Sequence, residues 1–204
     1  MEPVPTTPER TSGDAGALLT GVLDVPARLG STRLICVDGP AGSGKTTLAS
    51  LLATEAAARG VATSVVHMDD VYDGWDGLAT GITNIGRWLL VPLTSDEPAG
   101  YSRFDWAAER YAEWHPVAPG GLLVLEGVGS AARQVDGLAT LRIWVELPLA
   151  ERTTRWQVRD QGAADPFIAA WQAQEQEHFR ADDTRPRADV CWWVGGPAEA
   201  EPAG

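Results

Sequence analysis

The sequence predicts a three-layer α/β fold: a five-stranded parallel sheet flanked by helices, with a small lid at its edge. Three observations predict it. Strand-length apolar runs alternate with helix-length runs along most of the 204 residues. The first of these strands, 32–38, leads directly into Gly39-Pro40-Ala41-Gly42-Ser43-Gly44-Lys45-Thr46, which fits the phosphate-loop pattern G-x-x-x-x-G-K-[ST]. Lys45 is the one lysine in a chain whose other basic residues are all arginine.

Taken in order, residues 1–15 are polar and rich in Pro and Thr, and read as a flexible tail. Residues 18–29 read as a short leading helix. The apolar run 32–38 is a buried strand. Residues 44–59 are mostly Ala, Leu and Thr and read as a helix that stops at Gly60. A second strand follows at 62–67. The stretch 70–103 is too long for a plain connection. It holds Gly74, Gly77, Gly81 and Gly86 around Trp75 and Trp88, and is expected to be partly helical near 84–90 and to wall an acceptor pocket. A helix is predicted over 104–114, where Trp106, Arg110 and Trp114 fall on a four-residue ladder with Tyr111 nearby. Then come strand 121–125, a short helix 129–136, strand 140–146, helices 149–161 and 165–180, and strand 189–194. Residues 195–204 read as a second tail. The organisation expected is one domain over 16–194, with an acceptor-pocket insertion at about 70–120 and a lid at about 159–166.

Composition narrows the partners. The formal net charge is −12, which argues against nucleic acid and against an anionic membrane surface. No apolar run approaches the roughly 20 residues of a membrane span, and residues 1–14 lack a signal-peptide core. Cys36 and Cys191 sit in predicted strands without a partner at ligand spacing, so both read as buried thiols and the chain as cytoplasmic.

The glycine-rich loop carries the chemistry. Gly39, Ala41, Gly42, Ser43, Gly44, Lys45, Thr46 and Thr47 are the candidate nucleotide contacts: main-chain N–H groups and a helix N-terminus facing phosphate, with the lysine as a point charge. Thr46 is the candidate hydroxyl ligand of Mg²⁺. The second strand ends in His67-Met68-Asp69-Asp70-Val71-Tyr72, at the sheet edge where α/β proteins bind ligands. Asp69 is the candidate base for a substrate hydroxyl, while His67 reads as a packed strand-end residue. The strand Leu122-Leu123-Val124-Leu125 runs into Glu126-Gly127, the arrangement that holds Mg²⁺ directly or through water. Arg152, Arg155 and Arg159 share a helix face and can clamp a transferring phosphoryl or stack on adenine. Phe104, Asp105, Trp106 and Arg110 are candidates for facing the acceptor, and Asp38 reads as a residue that orients backbone.

The pattern resembles the uridine kinase group of P-loop kinases, which includes phosphoribulokinase- and pantothenate kinase-like proteins. Four segments match in order: the loop 38–46, Met68-Asp69-Asp70-Val71-Tyr72, Phe104-Asp105-Trp106, and Leu125-Glu126-Gly127. The resemblance covers about residues 32 to 194. It implies the P-loop NTPase fold, ATP and Mg²⁺, and transfer of a γ-phosphoryl group to a hydroxyl, usually of a pyrimidine nucleoside such as uridine or cytidine. It puts the catalytic aspartate on Asp69 and acceptor contacts on Tyr72, Phe104, Asp105 and Trp106. Two departures stand out. The family's pocket histidine falls on Glu109, and its basic lid on Gln161-Gly162-Ala163-Ala164-Asp165. A nucleoside monophosphate or a non-nucleoside alcohol is therefore an alternative acceptor, the former needing Arg87, Arg103 and Arg110 as cations. A nucleotide-dependent switch with slow ATPase activity is a second class. A deep pocket bordered by Asp69 and Trp106 favours the kinase, and a flat surface there favours the switch. Assembly with further copies of the chain is left open.

Overall fold

Six strands pair in parallel in a computed structural model that describes residues 9–11, 13–160 and 165–194. The predicted lid centre, 161–164, and most of the two predicted tails, at 1–8 and 195–204, lie outside the described residues. The sheet comprises β1 (Glu9–Thr11), β2 (Arg33–Asp38), β3 (Thr63–His67), β6 (Leu122–Glu126), β7 (Leu141–Glu146) and β8 (Val190–Trp193), in the order β1-β8-β7-β2-β6-β3. The five expected strands are all present. β1 is an addition, a short edge strand from a segment that reads as a tail, paired with β8 through Glu9↔Val190.

Alternation along the strands builds two cores, because successive side chains point to opposite faces. Leu34, Cys36, Leu123 and Leu125 face one side. Ile35, Val37, Val124, Ile143 and Val145 face the other, against α1 (Ala15–Leu23) and α2 (Lys45–Ala58). Leu48 and Leu52 of α2 are almost fully buried there, each stabilising the fold by about 2 kcal/mol. The leading helix starts earlier than expected, with Asp14 accepting the Gly16 N–H at 2.8 Å as its cap. Cys36 and Cys191 are both buried in strands.

The long stretch after β3 folds as helix: α3 (Leu78–Ile85), a π-helical turn (Gly86–Leu90) and α4 (Val91–Thr94). The predicted helix 104–114 is not one. Residues 99–117 form an antiparallel hairpin of β4 (Ala99–Asp105) and β5 (Arg110–Val117), with Asp105 opposite Arg110. The turn explains the difference. Asp105 Oδ1 accepts the N–H groups of both Ala107 and Ala108 at 3.0 Å, and Glu109 adopts a left-handed φ of 50°. The expected short helix 129–136 reduces to one 3₁₀ turn, Arg133–Val135. After β7 come α5 (Leu149–Asp160), α6 (Asp165–Asp182) and α7 (Thr184–Arg187).

This strand order fixes the site. The chain leaves β2 for β3, returns through β6 between them, then crosses to β7 on the other side of β2. A crevice therefore opens beyond the carboxyl ends of β2, β6 and β3. Among the described residues no helix is long and apolar enough to cross a membrane.

Candidate active site

A cavity of about 870 Å³ occupies that crevice. At one end the phosphate loop lines it with Ala41, Gly42, Gly44, Lys45, Thr46 and Thr47, while Gly39 and Ser43 of the same loop are buried and do not line it. Lys45 is mostly buried, and its Nζ donates to Pro40 O at 3.0 Å, across the neck of the loop.

Asp38 anchors the loop to its neighbour strand. Its carboxylate accepts from Gly39 N at 2.7 Å, Gly129 N at 3.1 Å and Ala131 N at 2.8 Å. Burial pushes its pKa up to about 6, against the lowering pull of those amides and of Lys45. Gly42 lets the loop pass close to the backbone of α5. It has φ +78°, and a Cβ there would stand 2.6 Å from Arg152 O. Gly42→Ala is expected to cost about 2 kcal/mol of stability and at least about tenfold in nucleotide affinity. Thermal unfolding and nucleotide titration of the variant check both.

The strand register sets the metal end. Glu126 is the last residue of β6 and pairs with Val37 on one side and His67 on the other. Thr46 Oγ1 donates to Glu126 Oε1 at 3.0 Å, and His67 Nδ1 lies 2.5 Å from the same oxygen. The hydrogen bond to Glu126 raises the His67 pKa, against partial burial that lowers it. His67 thus lines the cavity and orients a carboxylate, where the sequence suggested packing alone. Thr46 and Glu126 bring two hard oxygens together at the phosphate end, which fits a magnesium ion held by one or two protein groups and phosphate oxygens.

Beyond this end lie Asp69 and Asp70, on the turn after β3, and both line the cavity. Trp106, at the tip of the hairpin, donates its indole N–H to Asp69 O at 3.0 Å and lines the cavity beside it. Tyr72 is buried, its hydroxyl donating to Val128 O at 2.8 Å, so it meets the cavity through its ring.

Three candidates fall elsewhere. Phe104 is buried in the hairpin against Trp106 and Tyr111, Asp105 is spent on the turn, and Arg110 is exposed on β5. Their proximity to Trp106 along the chain does not carry them into the cavity, because a strand sends successive side chains to opposite faces. Of the arginines, Arg155 lines the cavity, with its guanidinium nitrogen 3.7 Å from where a Cβ on Gly44 would stand. Arg152 supports the loop from behind. It donates to Leu147 O at 3.1 Å and Ala41 O at 3.4 Å and pairs with Glu175 at 3.7 Å. The Arg159 side chain lies outside the described ones.

The sequence pointed to Trp106 and to the stretch that holds Trp75, but it missed that Phe167 and Trp171 complete an aromatic wall with them. Trp75 stacks on Phe167 at 5.0 Å and meets Trp106 and Trp171 edge-on at 5.3 and 6.3 Å. All four line the cavity, yet they come from three distant segments that share no local pattern. It also missed Glu175, a buried carboxylate on α6 that accepts the Ala41 N–H at 3.0 Å and has its pKa raised by burial.

No family model matches the sequence, and no curated protein matches it. Solved structures do. A protein described as a possible uridine kinase from Bacillus stearothermophilus superposes with a TM-score of 0.62 at 17% identity, over 87% of this chain and 96% of that one. A protein described as a "putative fructose transport system kinase" from Silicibacter sp. TM1040 superposes with a TM-score of 0.62 at 26% identity, over 88% of this chain and 99% of that one. The chain shares the α/β fold of these P-loop kinase-like structures. The loop after β2 and the carboxylate ending β6 flank one cleft, where Lys45 and Glu126 line the same cavity. A kinase-like P-loop fold of this kind implies nucleotide binding.

Proposed function

We propose that the protein is an ATP-dependent kinase that phosphorylates a hydroxyl group of a small molecule. The observation that carries this reading is the single cavity joining the phosphate loop to Asp69 and Trp106. A switch protein needs a flat partner surface at that place, whereas an acceptor needs a recess.

In this reading the loop amides and Lys45 hold the β- and γ-phosphates, with Arg155 offsetting charge on the transferring group. The acceptor oxygen forms a bond to the γ-phosphorus as the bond from that phosphorus to the β–γ bridging oxygen breaks. ADP leaves, and the hydroxyl proton passes to the Asp69 carboxylate. Thr46 and Glu126 would hold Mg²⁺, which would supply charge neutralisation for the phosphates. His67 keeps Glu126 turned toward Thr46. The aromatic wall and the hairpin exclude water from the transfer.

The family resemblance brings a nucleoside as the acceptor, and an indole wall is able to stack a base. The monophosphate alternative loses its support. Arg103 is paired with Glu113 at 2.6 Å, Arg87 and Arg110 are exposed, and none of the three lines the cavity. The test is ADP release from Mg-ATP across a panel of alcohols. The expected result is release that depends on an acceptor by at least about tenfold. Slow release that no alcohol stimulates would favour the switch.

A further inference from the structure

A buried carboxylate is costly unless its oxygens are satisfied. Glu175, 3% exposed on α6, is satisfied by groups from three parts of the site. Its Oε2 accepts the Ala41 N–H of the phosphate loop at 3.0 Å. The Arg152 guanidinium of α5, which also donates to Ala41 O at 3.4 Å, stands 3.7 Å from Oε1. The Trp171 indole N–H, one turn back along α6, donates to the same side chain. Burial raises the Glu175 pKa, against the Ala41 amide, Lys45, Arg152 and Trp171, which all favour the charge.

The Ala41 amide is the informative partner. In the trans Pro40–Ala41 peptide the carbonyl and the N–H point in opposite directions. The carbonyl accepts from Lys45 Nζ at 3.0 Å, and the N–H donates to Glu175. One peptide unit therefore stands between the ammonium of the loop and a buried carboxylate. Each charge polarises it in the sense that strengthens the other's bond.

On its other side Glu175 reaches the aromatic wall. Phe167, Trp171 and Glu175 are spaced by four residues, so they share one face of α6. Exposure falls along that face from 44% at Phe167 to 5% at Trp171 and 3% at Glu175, from open cavity to loop. Trp171 meets Trp75 edge-on at 6.3 Å, and Gln174 Nε2 donates to Trp75 O at 2.8 Å, which fastens the wall to α6.

A triphosphate in the loop acts on this junction twice. Its oxygens compete with Pro40 O for the Lys45 ammonium, and its negative charge faces the Glu175 carboxylate across one peptide unit. Resting on the kinase reading above, we infer that Glu175 is a positioning residue that couples the phosphate loop to the aromatic wall, through the Pro40–Ala41 peptide on one side and the Trp171 indole on the other. Filling the loop reorders the wall that meets the acceptor. Because such coupling is reciprocal, an acceptor on the wall tightens the nucleotide. A Glu175 that only packs would hold Ala41 and Arg152 and carry nothing to Trp171.

The experiment uses the full chain carrying fluorotryptophan, with Trp171→Phe and Trp75→Phe identifying those two fluorine resonances. The probe is magnesium tripolyphosphate, which fills a phosphate loop but brings no ring to shift an indole directly. Calorimetry follows its binding to the same proteins. The expected result is a saturable movement of the Trp171 and Trp75 resonances in the wild-type protein. In Glu175→Gln, which keeps the shape of the side chain, tripolyphosphate should bind with a Kd within about tenfold, while both movements fall to about a third or less. A merely structural Glu175 lowers stability in urea and leaves the movements at saturation unchanged. That result, or wild-type resonances that stay in place as the loop fills, overturns the coupling and leaves the kinase standing. Trp171→Phe tests the same link whether or not Glu175→Gln folds and binds. It keeps a ring in the wall and removes the N–H, so the Trp75 movement should fall in the same proportion, and an undiminished movement overturns the coupling. No uptake of tripolyphosphate by the wild-type protein at millimolar concentration overturns both.

Discussion

Asp69→Asn is expected to lower acceptor-dependent phosphoryl transfer by about 10²- to 10⁴-fold while leaving the dissociation constant for Mg-ATP within about threefold. Asparagine has nearly the same shape, so the turn Met68–Asp70 and the bond from Trp106 to the Asp69 main-chain carbonyl should persist. What disappears is the carboxylate that takes the hydroxyl proton. The effect should fall on kcat, because Asp69 stands on the turn after β3 and is no part of the loop that holds the nucleotide. Steady-state ADP release and a nucleotide titration on the same preparation check the two halves. Transfer that survives within tenfold would remove Asp69 from the chemistry.

Asp38→Ala is expected to have the largest effect on stability, a loss of about 3–5 kcal/mol. The substitution leaves the N–H groups of Gly39, Gly129 and Ala131 buried without an acceptor, at about 1–3 kcal/mol each before relaxation. Urea unfolding of the two proteins measures it. The carboxylate also gives stability a pH signature. Its folded-state pKa is raised to about 6 from an ordinary 3.8, so between those values the folded state binds more protons than the unfolded one. Stability from this group is therefore complete below about pH 4 and is lost as pH rises through 6. The loss is on the order of 3 kcal/mol. Asp38→Asn should remove that dependence while keeping one oxygen acceptor. An unchanged slope in the variant would show that another group titrates.

The parts of the site that were legible in the sequence are those fixed by a few consecutive residues. Glu126 ends one strand, Asp69 lies just past the end of another, and Lys45 closes the glycine loop that follows a third, and parallel pairing brings the three strand ends to one edge. The hairpin was illegible for a local reason. Ala107, Ala108 and Glu109 are helix formers by propensity, and Trp106, Arg110 and Trp114 happen to be spaced by four. The turn depends on an Asp105 side-chain contact and on a left-handed Glu109, neither of which leaves a periodic mark. Much of β5 is also exposed, so no apolar alternation announces it. Trp75, Phe167 and Trp171 meet only through tertiary packing, as does Glu175 with Ala41. Arg152 shows the limit of helical spacing as a guide. It shares a helix with Arg155, yet one supports the loop and the other lines the cavity.

The most direct test is a calorimetric titration of the protein, and of Lys45→Ala, with a magnesium-bound ATP analogue that cannot transfer its terminal phosphoryl. One site of micromolar to submillimolar affinity is expected, weakened at least about tenfold without the lysine. No uptake at millimolar concentration, or equal affinity in the two proteins, would contradict a phosphate loop that works as one.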